Sequence, residues 1–386
     1  MKKNYYTLIF AQNYVTYHSS MYAEFYKKSK QKSLVVYLDE AGKSNKIEKR
    51  WQKKLNWGIN LTKGFKSILI KNYAKDPYSN SFFSRINLQI PYILYKVRPA
   101  RVFFQGYSDF SSWLILYFSF LFGIKSINWK GERVLQRNEI ITSLKKNILK
   151  YFFFSLCNKI FYSCKGNLEY LKKFNIKKSK LFPMNCSVNN NYFQNKFKIL
   201  KYKKNIIKNN KNFKNNSKLI LVVSNFEKRK NIKAILEILP FAKSNNFSLV
   251  LVGSGNYFSD IEQYKKLYRD NLNIVGFVDI SKISEYYLIA DLFILLSEYD
   301  PSPKTLNEAL NFGIPCIVSE NLGTSKDLIK DGINGFILKD ANKYKIYNYV
   351  KKILNEKNMK QKCISYNKEL LKLYSPTQNA NILFKK

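Results

Sequence analysis

Histidine, cysteine and acidic residues are scarce in this chain, and each shortage excludes a class of site. A single histidine, His18, and five cysteines without a Cys-x-x-Cys pair leave too few ligands at suitable spacing for a structural zinc site. The scattered cysteines favour a reducing compartment over a secreted, disulfide-linked fold. Acidic residues number 26 against 67 lysines and arginines, which excludes a balanced surface and gives a formal charge of +41.

Long apolar runs are absent as well. The longest, residues 113–123, falls short of the ~20 residues that a helix needs to cross a bilayer. The amino-terminal stretch 1–10 soon meets Gln12 and Asn13, so it is too short and too polar for the core of a signal peptide. We therefore expect a cytoplasmic protein, with room for peripheral contact with the inner face of the membrane.

The net charge and the length of the chain limit its possible partners and its number of domains. An excess of positive charge favours anionic partners, namely nucleotide phosphates, acidic lipid headgroups or nucleic acid. Part of this excess is coding bias, because the whole chain is rich in Lys, Asn, Ile, Phe and Tyr, as an A+T-biased genome would impose. With 386 residues, 46% of them hydrophobic, the chain is long enough for two globular domains, each with its own core.

Apolar strand patterns alternate with helical patterns in both halves of the chain. The alternation is typical of parallel α/β sheets and predicts two Rossmann-like, doubly wound domains. Between the halves, lysine and asparagine dominate and no apolar period is sustained, which predicts an exposed boundary segment. The predicted strands lie at 5–10, 33–38, 102–104, 125–129, 159–163, 219–223, 248–252, 273–275 and 292–296. The predicted domains are 1–195 and 218–365, with the boundary segment at 196–217 and a final basic helix at 366–386.

Two carboxylates follow the apolar run 290–296, which contains the predicted strand 292–296, in the segment 297–318. Asp300 and Glu308 are separated by seven residues, and Glu308 lies in the helix that the segment opens. Ligands of open α/β sheets bind at the carboxyl ends of the strands, so these acids predict a ligand site. The alternative is structural: Asp300 starts a turn before Pro301, and Glu308 is an ordinary first-turn acid of a helix.

Two further turns of the second half have features of an anion site. Arg229 and Lys230 lie in the turn between the strand 219–223 and a helix, where backbone N–H groups favour an anion. The strand 248–252 is followed by Gly253 and Gly255, which permit a tight turn and close approach to a ligand. Read structurally, Lys228-Arg229-Lys230 is a solvated charge run, and a lone Gly-x-Gly is common in such turns.

These motifs, taken in order, resemble the retaining glycosyltransferases of family 4. Lys230 matches the lysine of the family's diphosphate clamp, and Asp300 and Glu308 match its paired acids before an E-A-x-x-x-G-x-P segment. Gly276-Phe277-Val278 matches the family's G-x-V stretch near the nucleotide base. Two departures stand out: Asn225 replaces the clamp arginine, and Pro301 to Lys304 replace the glycines that usually follow the first acid.

The resemblance implies a GT-B fold, with two Rossmann-like domains facing a cleft and a last helix that returns to the first domain. It implies a nucleotide-diphosphate sugar as co-substrate and neither cofactor nor metal, since a basic clamp replaces the metal of a D-x-D motif. Glu308 would bind ribose hydroxyls, Lys230 would neutralise the leaving phosphate, and Asp300 would contact the donor sugar. The other donor-binding candidates are Asn225, Arg229, Gly253, Gly255, Phe277, Ser302, Lys304 and Thr305.

The acceptor would bind in the first half. By family position Glu132 in Lys-Gly-Glu-Arg is the leading acceptor-binding candidate, with Asp109 as the other loop-end acid. His18 lies just after the first strand and is a candidate for catalysis or sugar contact, although a lone histidine more often packs or hydrogen-bonds. The resemblance implies a glycan or lipid-linked glycan as acceptor, in polysaccharide or lipopolysaccharide biosynthesis, and sugar transfer with retention.

Two other functional classes stay open on the sequence. A nucleic-acid or anionic-membrane binding protein would use the charge itself, with tyrosines and phenylalanines to stack bases. Against it, the charge is spread over the whole chain and no nucleic-acid module is recognised. The departures at Asn225 and at the lost glycines leave room for a catalytically silent family member.

Overall fold

The computed structural model describes residues 6–43, 47–48, 53–54, 57, 59–77, 79–135, 144–214 and 216–385. Residue 5 of the first predicted strand and residue 215 of the predicted boundary segment lie outside these residues. The chain forms two compact units. The first comprises Met1–Asn185 and Pro376–Lys386, and the second comprises Cys186–Ser375.

Strands of the first unit form a seven-stranded sheet of order β5-β2-β1-β6-β7-β8-β9 in which every neighbouring pair is parallel. A separate antiparallel pair, β3 and β4, lies outside it. The strands are β1 Thr7–Ala11, β2 Ser33–Tyr37, β3 Ile47–Glu48, β4 Lys53–Lys54, β5 Ser67–Leu69, β6 Arg101–Gln105, β7 Ser126–Gly131, β8 Lys159–Tyr162 and β9 Leu181–Pro183.

Strands of the second unit form a six-stranded parallel sheet of order β12-β11-β10-β13-β14-β15. The strands are β10 Lys218–Val223, β11 Phe247–Val252, β12 Leu272–Gly276, β13 Leu292–Leu295, β14 Cys316–Ser319 and β15 Gly335–Leu338.

Helices follow the strands in both units. They are α1 Thr16–Lys28, α2 Ile90–Val97, α3 Phe110–Leu121, α4 Leu144–Ser155, α5 Lys165–Lys172, α6 Asn190–Leu200, α7 Lys204–Asn210, α8 Ile232–Leu236, α9 Phe258–Leu267, α10 Ile280–Ile289, α11 Lys304–Leu310, α12 Ser325–Leu328, α13 Lys343–Asn355, α14 Met359–Leu373 and α15 Pro376–Phe384. Across the described residues, no helix is both long and apolar enough to cross a membrane.

Each sheet is covered on both faces, which explains its continuously apolar strands. Along β1, Leu8 and Phe10 face a core shared with α2, α3, α4 and α5, whereas Ile9 and Ala11 face a core shared with α1 and α15. In the second unit, Phe293 and Leu295 of β13 pack into one core and its remaining residues into the other. The carboxyl-terminal helix α15 packs against α1 within the first unit.

The predicted fold class, two parallel-sheet α/β domains, is confirmed. Four sheet strands were missed, namely β5, β9, β14 and β15. They have three or four residues each, but β8 and β13 also have four and were predicted, so length alone does not account for the misses. Most of the predicted boundary segment is helical, in α6 and α7. Ile207 and Phe213 of this region are buried against the second unit's core, so tertiary packing supplies what the weak local pattern does not.

Candidate functional site

The centre of the site in the second unit is an ion pair between two predicted residues. Lys230 ends a 3₁₀ turn (Lys228–Lys230) after β10, and Asp300 lies in the loop after β13. Because β10 and β13 are neighbours in the sheet, the Lys230 ammonium donates to the Asp300 carboxylate. The two side chains are only 9% and 13% exposed, so little water screens the pair.

The loop that carries Asp300 is held by backbone hydrogen bonds. The N–H of Ser302 donates to Asp300 Oδ1 at 3.2 Å, and the N–H of Gly323 donates to the Asp300 carbonyl at 3.0 Å. The N–H of Glu298 donates to the Arg229 carbonyl at 2.8 Å, which joins this loop to the turn after β10. The carboxylate therefore has a defined position without the glycines that the resemblance leads one to expect.

Arg229 and Asn225 are joined through a residue that the sequence did not indicate, Glu227. Arg229 Nε donates to Glu227 Oε2 at 2.7 Å, and Asn225 Nδ2 lies 3.4 Å from the other carboxylate oxygen. Arg229 Nη1 donates to the Tyr299 carbonyl at 3.0 Å. The Arg229 side chain is 42% exposed, so a cation lies at the solvent-facing side of the Lys230–Asp300 pair.

Glu308 also has a partner that the sequence did not indicate. It lies on the second turn of α11, and its Oε2 accepts a hydrogen bond of 2.8 Å from the hydroxyl of Tyr287 on α10. The Tyr287 ring is fully buried. Burial raises the pKa of Glu308 to about 7, although the Tyr287 hydrogen bond acts in the opposite direction. A carboxyl with this pKa is poised to change its charge near neutral pH.

The two glycines after β11 are required by close backbone packing. A Cβ on Gly253, whose φ is +144°, would lie 1.8 Å from the Ser224 carbonyl oxygen, and one on Gly255 would lie 2.4 Å from the Phe226 carbonyl oxygen. The Phe226 N–H donates to the Ser254 carbonyl at 3.0 Å. The loops after β10 and β11 therefore touch backbone to backbone, at the edge of the sheet that also carries Lys230 and Asp300.

The remaining predicted donor residues lie around this edge. Phe277 follows β12 and is 42% exposed. Lys304 Nζ lies 3.2 Å from Cys186 Sγ, and the Thr305 carbonyl oxygen lies 3.5 Å from the Tyr287 hydroxyl. Ser302 is buried.

Unsatisfied hydroxyl groups are concentrated here. In the part of the chain that the structure describes, these buried hydroxyls have no hydrogen-bond partner, although buried polar groups normally find one. They follow β10 and β13 or lie in the loops beyond β13 and β14. They belong to Ser224, Ser297, Ser302 and Thr324.

The first unit brings His18 and Asp109 into one network. Gln105 Nε2 lies 3.3 Å from His18 Nε2, and the Gln105 carbonyl accepts from Gln12 Nε2 at 3.3 Å. The same Gln12 nitrogen donates to Asp109 Oδ2 at 3.1 Å. The His18 ring also packs edge-on against Tyr17, at 4.5 Å between centroids.

Asp109 is buried and caps a helix. Its Oδ1 accepts from the N–H and the hydroxyl of Ser112 at 2.9 and 3.0 Å, which closes the first turn of α3. Its Oδ2 faces the guanidinium of Arg85 at 3.5 Å. With both oxygens occupied, Asp109 positions other side chains. Glu132 forms an ion pair of 2.8 Å with the buried Lys130.

The side chains that Asp109 holds line a polar cavity of about 330 Å³. The cavity lies at the carboxyl ends of β1, β2 and β6. This cavity was not predicted from the sequence, although the polar residues directly after β1 were a signal. Besides Gln12 and Arg85, it is lined mainly by hydroxyl, amide and carboxylate groups, including those of Asn13, Asp39, Asn80, Ser81 and Ser108.

Among the described residues, no group of three His, Cys, Asp or Glu side chains could hold a metal ion. The positive charge at the second unit's site comes from Lys230 and Arg229.

A chain of two α/β units, each built on a parallel sheet, defines the GT-B architecture of glycosyltransferases. The structure is similar to that of a glycosyltransferase from Rickettsia africae, with a TM-score of 0.71 at 16% identity, over 99% of this chain and 100% of the other. It is also similar to Anabaena Alr3699/HepE in complex with UDP and glucose, with a TM-score of 0.70 at 10% identity over 98% and 97% of the two chains. At these identities the likeness establishes the fold.

The family evidence covers the second unit. Residues 203–370 match the family model of the glycosyl transferases group 1. The chain is 30% identical over 123 residues, 29% of its length, to the lipopolysaccharide 1,6-galactosyltransferase of Escherichia coli, and 32% identical over 125 residues, 31% of its length, to the N-acetyl-alpha-D-glucosaminyl L-malate synthase of Bacillus anthracis. Each match covers 32% of the relative, so the chain spans about a third of the length of the curated relatives it matches.

Proposed function

We propose that this protein is a glycosyltransferase that moves a sugar from a nucleotide-diphosphate sugar to a hydroxyl of a glycan or lipid-linked glycan. The observation that carries the proposal is the Lys230–Asp300 pair at the carboxyl edge of the second sheet, beside the Glu308–Tyr287 pair. Lys230, Asp300 and Glu308 belong to the motifs that resemble family 4, and both pairs lie inside the segment that matches the group 1 model.

The second unit would bind the donor. The arriving diphosphate would compete with Asp300 for the Lys230 ammonium, and Arg229 would add a second cation from the solvent side. Together they take the role of the clamp arginine that Asn225 replaces. Positive charge aimed at the leaving phosphate stabilises the charge that develops there in the transition state, so the proposal needs neither metal nor cofactor.

Glu308 would orient the nucleoside. One of its oxygens accepts from the Tyr287 hydroxyl, and the other would accept from a ribose hydroxyl. Asp300, released from Lys230, would contact the donor sugar and stabilise positive charge at its anomeric carbon. Phe277, after β12, would lie against the base, and the partnerless hydroxyl of Ser302 would donate to the sugar or a phosphate.

The transfer proceeds with retention in this proposal. The bond between the anomeric carbon and the phosphate oxygen breaks, and its electron pair leaves with the nucleoside diphosphate. The acceptor oxygen forms the new bond on the same face of the sugar. The acceptor's proton passes to the departing phosphate oxygen, so no separate base is needed.

The first unit would bind the acceptor. Hydroxyl, amide and carboxylate groups line its cavity and suit the alternating donors and acceptors of a sugar, while Asp109 keeps Gln12 and Arg85 in place. The relatives that act on lipopolysaccharide support a cell-surface glycan as acceptor. Complexes of a structural neighbour with UDP support a uridine donor.

The test is the thermal stability of the purified protein against a panel of nucleoside diphosphates and nucleotide sugars. A ligand at about 100 times its dissociation constant stabilises a fold by about 2.7 kcal/mol. We expect one nucleotide to stabilise the wild type and to lose most of this effect in Glu308→Ala. Glu262→Gln, which alters an exposed acid of the same unit, is the matched control and keeps the effect.

Two outcomes would contradict the proposal. Stabilisation by oligonucleotides or other polyanions but by no nucleotide would favour a binding protein that uses its charge. Nucleotide binding without turnover of any nucleotide sugar, even by hydrolysis, would favour a catalytically silent family member.

A further inference from the structure

Helix α3 of the first unit buries serines together with apolar residues, and its outer side carries an apolar stripe. Its three serines, at 111, 112 and 119, are buried, whereas Tyr117, Phe120 and Leu121 are each more than half exposed. The three exposed residues are spaced i, i+3 and i+4, so they form one stripe along the helix. A helix on a water-facing surface normally has the opposite arrangement.

Two of the three buried serines have side-chain hydrogen bonds that explain their position, whereas the Ser119 hydroxyl has no partner among the described residues. The hydroxyl of Ser111 donates to Asn87 Oδ1 at 2.8 Å, and Ser112 bonds to the capping Asp109. These contacts explain why Ser111 and Ser112 lie on the inner side of α3. They do not explain why its outer side is apolar.

The neighbouring helices extend the apolar surface. Helices α2, α3 and α4 contribute to the same core, so they cover one face of the sheet and their outer sides face solvent together. On those outer sides, Tyr92 of α2 and Leu149 and Phe152 of α4 are also at least 53% exposed. We call the surface formed by Tyr92, Tyr117, Phe120, Leu121, Leu149 and Phe152 the outer face.

Next to the outer face, aromatic rings of neighbouring helices contact one another. Tyr95 of α2 meets Phe122 beyond α3 at 6.0 Å between ring centroids, and Trp113 of α3 meets Phe153 of α4 at 5.0 Å. Single exposed apolar residues are ordinary on protein surfaces, whereas contiguous patches mark contact with a partner or a membrane.

Charge around the outer face has one sign. Between residues 85 and 131 the sequence has one acid, Asp109, and that side chain is buried. Lys96, Arg98 and Lys125 are exposed at the ends of α2 and α3. Lys96 Nζ lies 5.6 Å from the Tyr92 ring centroid, and the Arg98 guanidinium lies 5.2 Å from that of Tyr95, so cations border the aromatic rings.

We propose that the outer face docks the protein on an anionic lipid bilayer. Aromatic and leucine side chains enter the interfacial layer, where tyrosine and other amphipathic rings are favoured, and the three cations meet lipid phosphates. A bilayer fits better than a protein partner, because tyrosine, phenylalanine and leucine bordered only by cations match a layer of acyl chains beneath phosphates.

The experiment is flotation of the full-length protein with lipid vesicles, without donor or acceptor, so it is independent of the proposed transferase activity. One set of vesicles is pure phosphatidylcholine, and the other contains about one third phosphatidylglycerol. The test variant is Tyr117→Ser/Phe120→Ser/Leu121→Ser. The matched control is Ile199→Ser/Tyr202→Ser/Ile206→Ser, which removes three exposed apolar side chains from the second unit.

We expect the wild type to partition into the anionic vesicles, and the test variant to do so at least about tenfold less, because three apolar side chains no longer enter the bilayer. The control partitions like the wild type. Lys96→Gln/Arg98→Gln/Lys125→Gln loses the preference for anionic vesicles, at a factor of about five for each cation removed. Far-UV circular dichroism verifies that each variant is folded.

Three results would overturn the proposal. The first is a wild type that does not float with either vesicle. The second is equal loss in the test and control variants. The third is a concentration-dependent dimer in sedimentation that the test variant dissociates while vesicle binding is unchanged, which would make the outer face a contact between two copies. If the test variant is unfolded, hydrogen exchange of α3 in the wild type is measured instead, with and without anionic vesicles. Docking predicts slower exchange when the vesicles are added, and unchanged exchange counts against docking.

Discussion

At the scale of single residues, the sequence singled out Lys230 and Asp300, which the structure brings together, but it did not indicate which side chains pair. Lys230, Asp300 and Glu308 all lie in motifs that can be identified in a single sequence. Their partners depend on which strands and helices become neighbours. Glu227 and Tyr287 were therefore missed, since nothing local distinguishes them from other acids and tyrosines of the chain.

Glu308 supports a prediction about stability and pH. Its folded-state pKa of about 7 exceeds the ordinary glutamate value of 4.5, so between these pH values the folded state keeps a proton that the unfolded state has lost. Raising the pH through this window therefore destabilises the wild type. In Glu308→Gln the amide has no charge to bury and its oxygen still accepts from Tyr287.

We expect the stability of Glu308→Gln relative to the wild type to increase by about 1–2 kcal/mol between pH 5 and pH 8 and to stay constant above pH 8. The magnitude follows from about 1.4 kcal/mol for each pKa unit, reduced because the side chain is partly exposed. Urea unfolding at a series of pH values measures it, with Glu262→Gln as the exposed control. A flat difference would mean that the Glu308 pKa is ordinary.

At the scale of elements, all strands of five or six residues in the two sheets were predictable, whereas the shorter strands were predicted only in part. The strands β1, β2, β10 and β11 have five or six residues each and stand out by their apolar runs. Helix α7 has a weak pattern and is held by the burial of a few side chains. The glycine turn after β11 was predicted as a ligand loop, and the structure adds that it must touch the loop after β10.

Gly253 supports a prediction about this turn. An alanine there would place its Cβ 1.8 Å from a backbone oxygen, at a φ of +144° that disfavours any side chain, so strand ends would have to separate. We expect Gly253→Ala to lower the free energy of unfolding by more than about 3 kcal/mol.

Gly276→Ala is the matched control, since Gly276 also has a positive φ, +83°, but its Cβ would meet nothing within 4 Å. It should cost about 1–2 kcal/mol from backbone strain alone. Denaturant unfolding of both variants gives the comparison. Equal costs would show that the loop after β10 moves to make room.

At the scale of the whole molecule, the net charge can be predicted from composition, whereas the reactivity of the thiols cannot. The +41 charge is a property of composition and was evident from the sequence. Whether a cysteine is reactive depends on its surroundings. All five cysteines are free and buried in the structure, and burial raises the pKa of the Cys157, Cys316 and Cys363 thiols.

The thiols give a prediction for the folded protein. Only the thiolate attacks a disulfide reagent, so burial removes both access and reactivity. We expect the native protein to react with an aromatic disulfide reagent at least about a hundredfold more slowly than the denatured protein, which should titrate all five thiols. One rapidly reacting native thiol would reveal an exposed or activated cysteine, and mass spectrometry would locate it.

The sequence by itself determined the two parallel-sheet units, the order of the motifs that resemble family 4 and the excess of positive charge, because each of these depends on local sequence or composition. Tertiary structure alone decided that Lys230 meets Asp300, that Tyr287 meets Glu308, and that a polar cavity lies beside Asp109. It also decided that the serines of α3 lie inside while Tyr117, Phe120 and Leu121 lie outside. The physical reason is that strand order and helix orientation are set by contacts between residues distant in sequence, and no local pattern records them.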